Sequence, residues 1–375
     1  MNFDFSEEQK LLQKASRDFL EANCTPPRVR EIFESDTPYD EPLWRGAAEM
    51  GWQGAALPES VGGAGFGHLE LALIAEEVGR AIAAIPFAPS VYLATEALLL
   101  AGDDASNAKH LPALASGDCI GTFAIAERMG QADASGIETT LSRGKLSGCK
   151  IAVPYGDVAD IAVVVAKQQG KVVPVLVDLA GAGVKRHAVE SFDPAVSQAT
   201  IEFEAAPAKR LGALADGRRL VEDLRDRAAI LLAFEQLGAA QRCLDIAVDF
   251  ARQRYAFGRP IASFQAVKHK LADMFTAVEL ARSNCYYGAW ALSTGAEELP
   301  VAACLARISA SEAFQQCAEE NLQIHGGVGF TWEYDCHLFL RRAMFQGALL
   351  GSARDWKRTL VRRLAASTVD QSDSD

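Results

Sequence analysis

One acidic side chain stands out by its neighbours, because Glu235 directly follows the apolar run 228–234. Burial of an unpaired carboxylate disfavours its ionised form, and the resulting rise in pKa suits a general base. Glu235 is therefore a candidate catalytic base. The alternative is that it begins a polar stripe that faces solvent or another helix, a stripe continued by Gly238, Arg242, Asp245, Asp249 and Arg252.

A glycine pair, Gly326 and Gly327, follows His325. Adjacent glycines let a ligand approach the backbone closely, but glycine also commonly ends helices. On residue types alone a helix end is favoured here, and a lone histidine such as His325 is expected to be structural.

Composition limits the kinds of site and partner that we expect. The eight cysteines are scattered, with no CxxC pair and no Cys/His cluster at zinc spacing, so we expect core thiols and no metal site. A formal net charge of −12 argues against nucleic acid as the main partner. Charges recur through Met1–Arg17 and no apolar run is long enough to span a bilayer, which favours a cytoplasmic location.

The hydrophobic period changes along the chain. Helical spacing follows Ser6, which is a candidate helix cap, and then gives way to alternation over 137–153 with a turn signal at Arg143-Gly144. After Gly217 the helical period returns, which indicates three or four long helices.

These changes predict an α+β chain that is mostly helical, with an antiparallel β region between two helical ones. The predicted parts are an N-terminal helical domain (1–117), a middle β domain (118–210), a C-terminal helical bundle (211–366) and a disordered acidic tail (367–375).

Several strings occur in the order that is typical of one family. They are Phe5-Ser-Glu-Glu-Gln9, Leu57-Pro-Glu-Ser-Val-Gly-Gly-Ala-Gly65, Arg254-Tyr-Ala-Phe-Gly-Arg-Pro-Ile261, Phe264-Gln265, Lys270-Leu-Ala-Asp-Met274 and Gln323-Ile-His-Gly-Gly-Val-Gly-Phe330. Over nearly its whole length the chain resembles an acyl-CoA dehydrogenase. The resemblance implies that family's fold, in which the C-terminal domain is a four-helix bundle.

The resemblance also implies FAD as the cofactor. In the family these C-terminal strings contact FAD, largely the copy held by a neighbouring subunit, and a guanidinium is suited to its pyrophosphate. Ala256 stands where the family has a threonine, so one polar contact is lost. The matching positions here are Arg254, Phe257, Gln265, Gln323, Gly326 and Gly327.

The reaction implied by the resemblance is α,β-desaturation of an acyl-CoA thioester, in which a carboxylate removes the α proton and a hydride passes to FAD. Leu350 occupies the family's usual glutamate position, and a less common position falls near Ala228. Neither side chain accepts a proton, so Glu235 is the base candidate of this chain.

A second departure lies in the β domain. The family cradles the flavin ring with a Thr-Glu-Pro string and a Trp-x-Thr string, which here read Ala126-Glu-Arg128 and Ala152-Val-Pro154, and its serine-bearing glycine loop reads Met129-Gly-Gln-Ala-Asp133. The hydroxyls and the indole are absent. The half that meets a neighbour's FAD is thus retained, whereas the half for the chain's own flavin ring is altered.

Some bacterial relatives assemble as α2β2 complexes that act on steroid side chains, and this chain resembles the subunit that completes a partner's cofactor site. We therefore expect an acyl-CoA dehydrogenase in a homo- or heterotetramer, the mixed form being favoured, with electron-transfer flavoprotein as acceptor. The alternatives are a non-redox acyl-CoA lyase or hydratase and a non-catalytic structural subunit. Candidates for binding the CoA nucleotide, or else surface charges, are Arg225, Arg227, Arg341 and Arg342.

Overall fold

The computed structural model describes residues 5–213 and 217–372, with side chains described as far as 366. The chain divides into two compact units. The helical unit joins the chain as far as Arg28 with Ala72–Ala83 and with the part from Ala229 onward, and the sheet unit comprises Val29–Leu71 and Ala84–Ala228.

Helices come first, strands follow, and helices return. The first helices are α1 (Glu7–Asn23), α2 (Pro26–Phe33), α3 (Glu41–Glu49), α4 (His68–Arg80), α5 (Glu96–Ala101) and α6 (Asp104–Ala115), with a buried π-helical segment at Ala88–Thr95. The strands are β1 (Gly121–Ala124), β2 (Thr140–Ser142), β3 (Lys145–Pro154), β4 (Ile161–Gln168), β5 (Lys171–Asp178), β6 (Val184–Val189) and β7 (Gln198–Arg210). Then come α7 (Arg218–Gln253), the short strands β8 (Tyr255–Ala256) and β9 (Arg259–Pro260), α8 (Gln265–Thr294), α9 (Leu299–His325), α10 (Cys336–Ala348) and α11 (Ala353–Ser372).

The order of these elements confirms the predicted α+β, mostly helical fold class. The domain boundaries at 117, 210 and 366 stay a prediction. Of the predicted acidic tail, the backbone through Ser372 continues α11, and residues 373–375 lie outside the described part of the chain.

Turn chemistry explains the hairpins of the sheet. Arg143 and Gly144 both have positive φ (49° and 71°), which matches the twist of the β2–β3 hairpin and pairs Leu141 with Leu146. Gln169 and Gly170 repeat this geometry between β4 and β5. The hairpin predicted over 137–153 is therefore confirmed.

The sheet is mixed, which corrects the prediction of a purely antiparallel β domain. β1 runs parallel to β4, with Gly121 opposite Ile161, while β3–β7, β4–β5 and β6–β7 are antiparallel. A parallel pair needs a long connection, and here the β2–β3 hairpin lies within the chain that joins β1 to β4.

α9 lies at the centre of the C-terminal helices and contacts α8, α10 and α11. Its buried face consists mainly of small residues, so neighbouring helices approach closely. The predicted four-helix bundle contains a further break, because Leu350 and Gly351 have positive φ (61° and 103°) and separate α10 from α11.

A search of the helices within the described ranges for membrane spans found none with the necessary length and apolarity.

Candidate active site

A tight hairpin follows α7 and carries two of the predicted cofactor residues. Arg254 N donates to Phe250 O at 2.8 Å, and Arg254 O accepts from Ile261 N at 2.8 Å, so both ends of the hairpin are fixed. Phe257 has φ 54° at the turn, and its side chain is 94% exposed. A bulky residue in left-handed backbone, with its ring in solvent, is a strained arrangement of the sort found at ligand sites.

Gln265 is the first residue of α8 and is exposed next to this hairpin. The Phe264 ring anchors the junction, because the Arg259 guanidinium lies 4.1 Å from its centroid and the Phe257 ring lies edge-on at 6.1 Å. Arg254, Phe257 and Gln265 are thus held together on one short segment.

The other predicted cofactor residues lie where α9 ends. Gln323 and Gly327 are exposed, and Gly326, with φ 62°, ends the helix. Apart from their immediate chain neighbours, the described residues place no atom within 4 Å of the point where a Cβ would stand on Gly326 or Gly327, so the backbone is open to a ligand. The helix-end and ligand-approach interpretations are compatible.

His325 joins these two places. Its ring stacks on Phe250 with centroids 3.9 Å apart, and its Nδ1 donates to Asn321 O at 2.8 Å. Burial lowers the pKa of His325. The ring therefore ties the end of α7 to the end of α9, as the structural role expected for it requires.

These features fit the adenine and pyrophosphate half of FAD. They combine an exposed guanidinium, an exposed aromatic ring, an exposed amide and two open glycines at adjoining helix ends. Nearby, Phe330 is 72% and Tyr255 64% exposed in the single chain. The assignment of the cofactor residues stays a prediction.

Glu235 is part of a buried polar network on α7, α9 and α10. It is 4% exposed, and its Oε2 accepts from Gln346 Nε2 at 2.7 Å. The fully buried Arg307 donates to Gln236 Oε1 and to the backbone oxygens of Gln346 and Leu349, the last at 2.7 Å. Burial lowers the pKa of Arg307 to about 9, and the charge of Glu235 opposes this shift.

This placement decides between the two structural surroundings considered for Glu235. Solvent is excluded, because residues 231–240 of α7 are all buried, and Glu235 faces another helix, α10, as the second form of the polar-stripe alternative allows. Its role as a catalytic base stays a prediction. Leu350, where the resemblance places the family's usual base, is 7% exposed and follows Leu349, whose carbonyl oxygen accepts from Arg307 in this network.

In the sheet unit, the Glu127 carboxylate accepts hydrogen bonds from neighbouring residues of the same chain. It accepts from Lys150 Nζ at 2.6 Å and from Thr139 N at 3.0 Å. Burial alone would raise the pKa of Glu127, but these donors outweigh it and lower the pKa. Burial lowers the pKa of Lys150 to about 8. Ala152 lies at a bulge of β3 with φ 50°, where the family has its indole.

Arg307 and Lys150 were missed in the sequence, although each carries a signal. Lys150 occupies the same face of β3 as Leu146. Arg307 interrupts a helical seam whose other members are buried, namely Ala303, Ala310 and Phe314. A charged residue at a position where the periodic pattern predicts an apolar one is the signal that identifies both Arg307 and Lys150.

The structure assigns internal partners to two of the arginines proposed for CoA. Arg227 Nη1 donates to Glu96 Oε1 at 2.8 Å. Arg342 is 5% exposed and donates to Ala83 O at 3.2 Å. Arg225 and Arg341 are half-buried.

Comparison with known proteins gives consistent matches along the chain. Residues 6–118 match the family profile for the acyl-CoA dehydrogenase N-terminal domain, and residues 215–364 match that for the C-terminal domain. The acyl-CoA dehydrogenase IpdE2 of Mycobacterium tuberculosis is 34% identical over 357 residues, which cover 94% of this chain and 96% of that protein.

Solved structures resemble the whole fold. A variant of the Tcur3481–Tcur3483 steroid ACAD has 30% identity and a TM-score of 0.88, covering 97% of this chain and 99% of its own. The ChsE4–ChsE5 complex of Mycobacterium tuberculosis has 29% identity and a TM-score of 0.89, with the same coverage of both chains.

Proposed function

The chain belongs to the acyl-CoA dehydrogenase family, and on that premise we propose that it is one subunit of a mixed assembly that desaturates an acyl-CoA thioester. Members of this family are oxidoreductases that bind FAD. The proposed assembly is a tetramer that contains a second, related chain. Electron-transfer flavoprotein is the proposed electron acceptor.

The observation that carries the proposal is the contrast between two parts of the cofactor site. Arg254, Phe257 and Gln323 are exposed, and the backbone of Gly326 and Gly327 is open, which suits contact with a cofactor held by another subunit. The strings that would hold this chain's own flavin ring have lost their hydroxyls and indole, and Glu127 is paired with Lys150. A cofactor site formed jointly by two unlike chains explains why the residues that meet a neighbour's FAD are retained and why those for the chain's own flavin ring are lost.

FAD, when bound, supplies a hydride acceptor for the β carbon of the thioester. In the proposed assembly Arg254 would pair with the pyrophosphate, the open backbone of Gly326 and Gly327 would let the cofactor approach closely, and Phe257 would supply an apolar contact. Gln323 provides an amide for hydrogen bonds. These residues would bind and orient the cofactor, whereas a carboxylate removes the α proton of the thioester.

Glu235 is the proposed base when this chain provides its own carboxylate. The observation that favours it is that Glu235 accepts from the Gln346 side chain, while Arg307 donates to the backbone oxygens of Gln346 and of Leu349, the residue before Leu350. In the mixed assembly the partner chain provides the base for the FAD site that this chain completes, and Glu235 then serves as the counter-charge of Arg307.

A bulky, steroid-type acyl group is the proposed substrate class, supported by the solved relative described as a steroid ACAD. A cytoplasmic location is also proposed, because all eight cysteines are free thiols, as in a reducing compartment. The three-domain division at 117 and 210 is proposed on the order of helices and strands.

The first test is the flavin content of the chain purified alone and after co-expression with a second acyl-CoA dehydrogenase-like chain. The proposal expects little flavin alone and stoichiometric FAD in the mixed complex. Flavin near one per protomer in the chain alone would overturn the mixed assembly and make Glu235→Gln the next variant. A colourless protein that still transforms a thioester indicates the lyase or hydratase alternative.

Arg254→Gln tests the cofactor contact within that complex. It is expected to lower FAD content by about tenfold, since a charge-assisted contact is removed. Arg252→Gln is the matched control, because Arg252 is also exposed and lies in the last turn of α7. Equal losses in both variants would argue against a specific contact at Arg254.

A further inference from the structure

The last helix, α11, carries a dense group of positive charges on an acidic chain. Five of the ten residues 354–363 are Lys or Arg and one is Asp, whereas the formal net charge of the whole chain is −12. Such a local reversal of sign shapes the electrostatic potential of the surface around it. The contacts of these cations separate those that hold the fold together from those that do not.

Two of the cations tie α11 to α9. Lys357 forms an ion pair with Glu312, and Arg363 Nη1 donates to Pro300 O. Trp356, which is 2% exposed, anchors the inner side of α11 in the core of the helical unit. Lys357 and Arg363 are therefore explained by packing within the chain.

The other three cations, Arg354, Arg358 and Arg362, form an arginine stripe on the exposed side of α11. Arg358 Nη1 lies 3.8 Å from Asp355 Oδ1, and Arg362 Nη2 donates to Thr359 Oγ1 at 3.3 Å, both on the same helix. Within the described part of the chain, no carboxylate outside α11 pairs with the stripe. Its charge is thus presented to solvent.

The placement of the arginine stripe opposes local electrostatics. Side chains four residues apart on a helix are neighbours, and like charges at this spacing destabilise it. Arg354 is also the second residue of α11, where the positive end of the helix dipole disfavours a cation. A pattern that breaks two local preferences without an internal gain is expected where a partner compensates for it.

The surroundings of the stripe indicate what kind of partner fits. Val361 is 67% and Leu364 47% exposed, so apolar groups accompany the arginines. A protein surface combines apolar contact with charge pairs, whereas binding to nucleic acid depends on phosphate contacts and is opposed by the net charge of −12. The partner chemistry that matches is a protein face that carries carboxylates.

We propose that the arginine stripe is a docking surface for an acidic face of the second chain in the mixed assembly. The proposal rests on the proposed function, which supplies the unlike chain. Charge complementarity favours an unlike chain over a second copy, because a two-fold contact of this face with itself would place arginines against arginines.

The test measures association of the purified chain with the second acyl-CoA dehydrogenase-like chain by stopped-flow fluorescence. The variant Arg354→Gln, Arg358→Gln, Arg362→Gln should lower the association rate constant by about tenfold at about 0.1 M NaCl. At about 1 M NaCl the Debye length is about 3 Å, so wild type and variant should associate at similar rates.

Two further variants separate charge from contact. The triple change to Lys keeps the charges and should stay within about threefold of wild type. Val361→Ser should raise the dissociation rate constant by about tenfold, because a buried valine is lost from the interface. If the glutamine variant associates slowly but Val361→Ser dissociates normally, the stripe only steers the partner, and docking is overturned.

The matched control removes the same charge elsewhere, through Arg143→Gln, Lys171→Gln and Arg219→Gln at exposed positions. It should change association by less than about twofold, and an equal loss in both triple variants would mean that only net charge matters. Alone, the stripe variant should unfold at the same urea concentration as wild type or a higher one, since repulsion on α11 is relieved. Where it does not fold, Arg358→Gln gives the same comparison.

The two proposals fail differently. If wild type and stripe variant associate equally at both salt concentrations, docking at the stripe is overturned and the mixed assembly stands. If the wild type does not associate and holds its own FAD, the proposed function fails and the docking proposal fails with it. Vesicles of phosphatidylglycerol and duplex DNA are the remaining probes, and loss of either interaction in a variant that associates normally would assign the stripe to a polyanion instead.

Discussion

Asn321 shows what a single buried polar group contributes. It is fully buried in α9, and neither its Oδ1 nor its Nδ2 has a hydrogen-bond partner in the described chain. An unsatisfied buried amide costs stability, whereas an apolar side chain of similar shape has no such cost. We therefore expect Asn321→Leu to raise the free energy of unfolding by about 1–3 kcal/mol.

Urea denaturation of the wild type and Asn321→Leu measures this difference. Asn321→Asp is the opposing variant, because it places a charge in the same volume and should destabilise strongly. Lower stability in the leucine variant would show that the amide serves a polar partner, such as an internal water, and would refute the prediction.

Lys150 gives a dependence on pH whose sign follows from its burial. Its folded pKa is about 8, below the value of about 10.4 for an unfolded lysine. Between these values the unfolded chain binds more protons, so this residue makes the free energy of unfolding rise with pH, by up to about 3 kcal/mol. Lys150→Met should remove that contribution.

The measurement is the difference in unfolding free energy between wild type and Lys150→Met at pH 8 and pH 10. Other titrating groups, including the buried thiols, cancel in this difference. Lys185→Met is the control in the same sheet, because Lys185 is exposed on β6 and pairs with Glu204. A difference that stays constant with pH would contradict the lowered pKa.

For single residues, the sequence predicted cofactor residues that turn out to be exposed, but it did not predict the buried charged residues of the core. Arg254, Phe257 and Gln323 were matched by their strings, and the structure places all three in exposed positions. Arg307 and Lys150 could not be paired from sequence, since their partners are 71 positions (Gln236) and 23 positions (Glu127) away in the chain. Only the tertiary fold brings such distant residues together.

Among the elements, α4 and α7 cross where each has a glycine. A Cβ added to Gly79 would overlap the Glu235 backbone oxygen, and one added to Gly238 would overlap that of Glu76. The two backbones are therefore in direct contact, at the point where Glu235 is held.

Alanine at either glycine should force these helices apart. We expect Gly79→Ala and Gly238→Ala each to lower the free energy of unfolding by about 3 kcal/mol or more, as overpacking against rigid backbone does. Gly347→Ala is the control in α10, since the described residues beyond its own helix turn leave the space around a Cβ there open to 4 Å, and it should be neutral or mildly stabilising. Thermal and urea denaturation measure all three, and tolerance of both crossing variants would contradict the close packing.

Elements with local signals were predicted, and elements defined by distant pairing were not. The β2–β3 hairpin has its turn residues and alternation in sequence. β6 is mostly exposed and is a strand only because it pairs with β7, and the direction of β1 is set by β4. The break after α10 depends on Leu350 adopting a conformation that its residue type disfavours.

For the whole molecule, the proposed assembly should account for the apolar side chains that one chain leaves in water. Phe257 is 94% and Phe330 72% exposed; Phe257 is one of the predicted cofactor residues, and Phe330 lies three positions after Gly327. Exposed aromatic groups of this size commonly mark an interface, and each contributes about 1.5–3 kcal/mol when buried. We expect the double variant Phe257→Ser, Phe330→Ser to weaken assembly by at least about tenfold and to lose FAD from the complex.

The same variant should leave the folding of the single chain unchanged within about 0.5 kcal/mol, because both rings are largely exposed and Phe257 has only an edge-on contact with Phe264. Light scattering after gel filtration gives the assembly state, and the absorbance of released flavin gives the FAD content. Leu11→Ser is the control, since Leu11 is 65% exposed but lies on α1, outside the predicted cofactor contacts. If the double variant still assembles and keeps its FAD, these rings do not form the shared site, and the mixed assembly must be held through another surface.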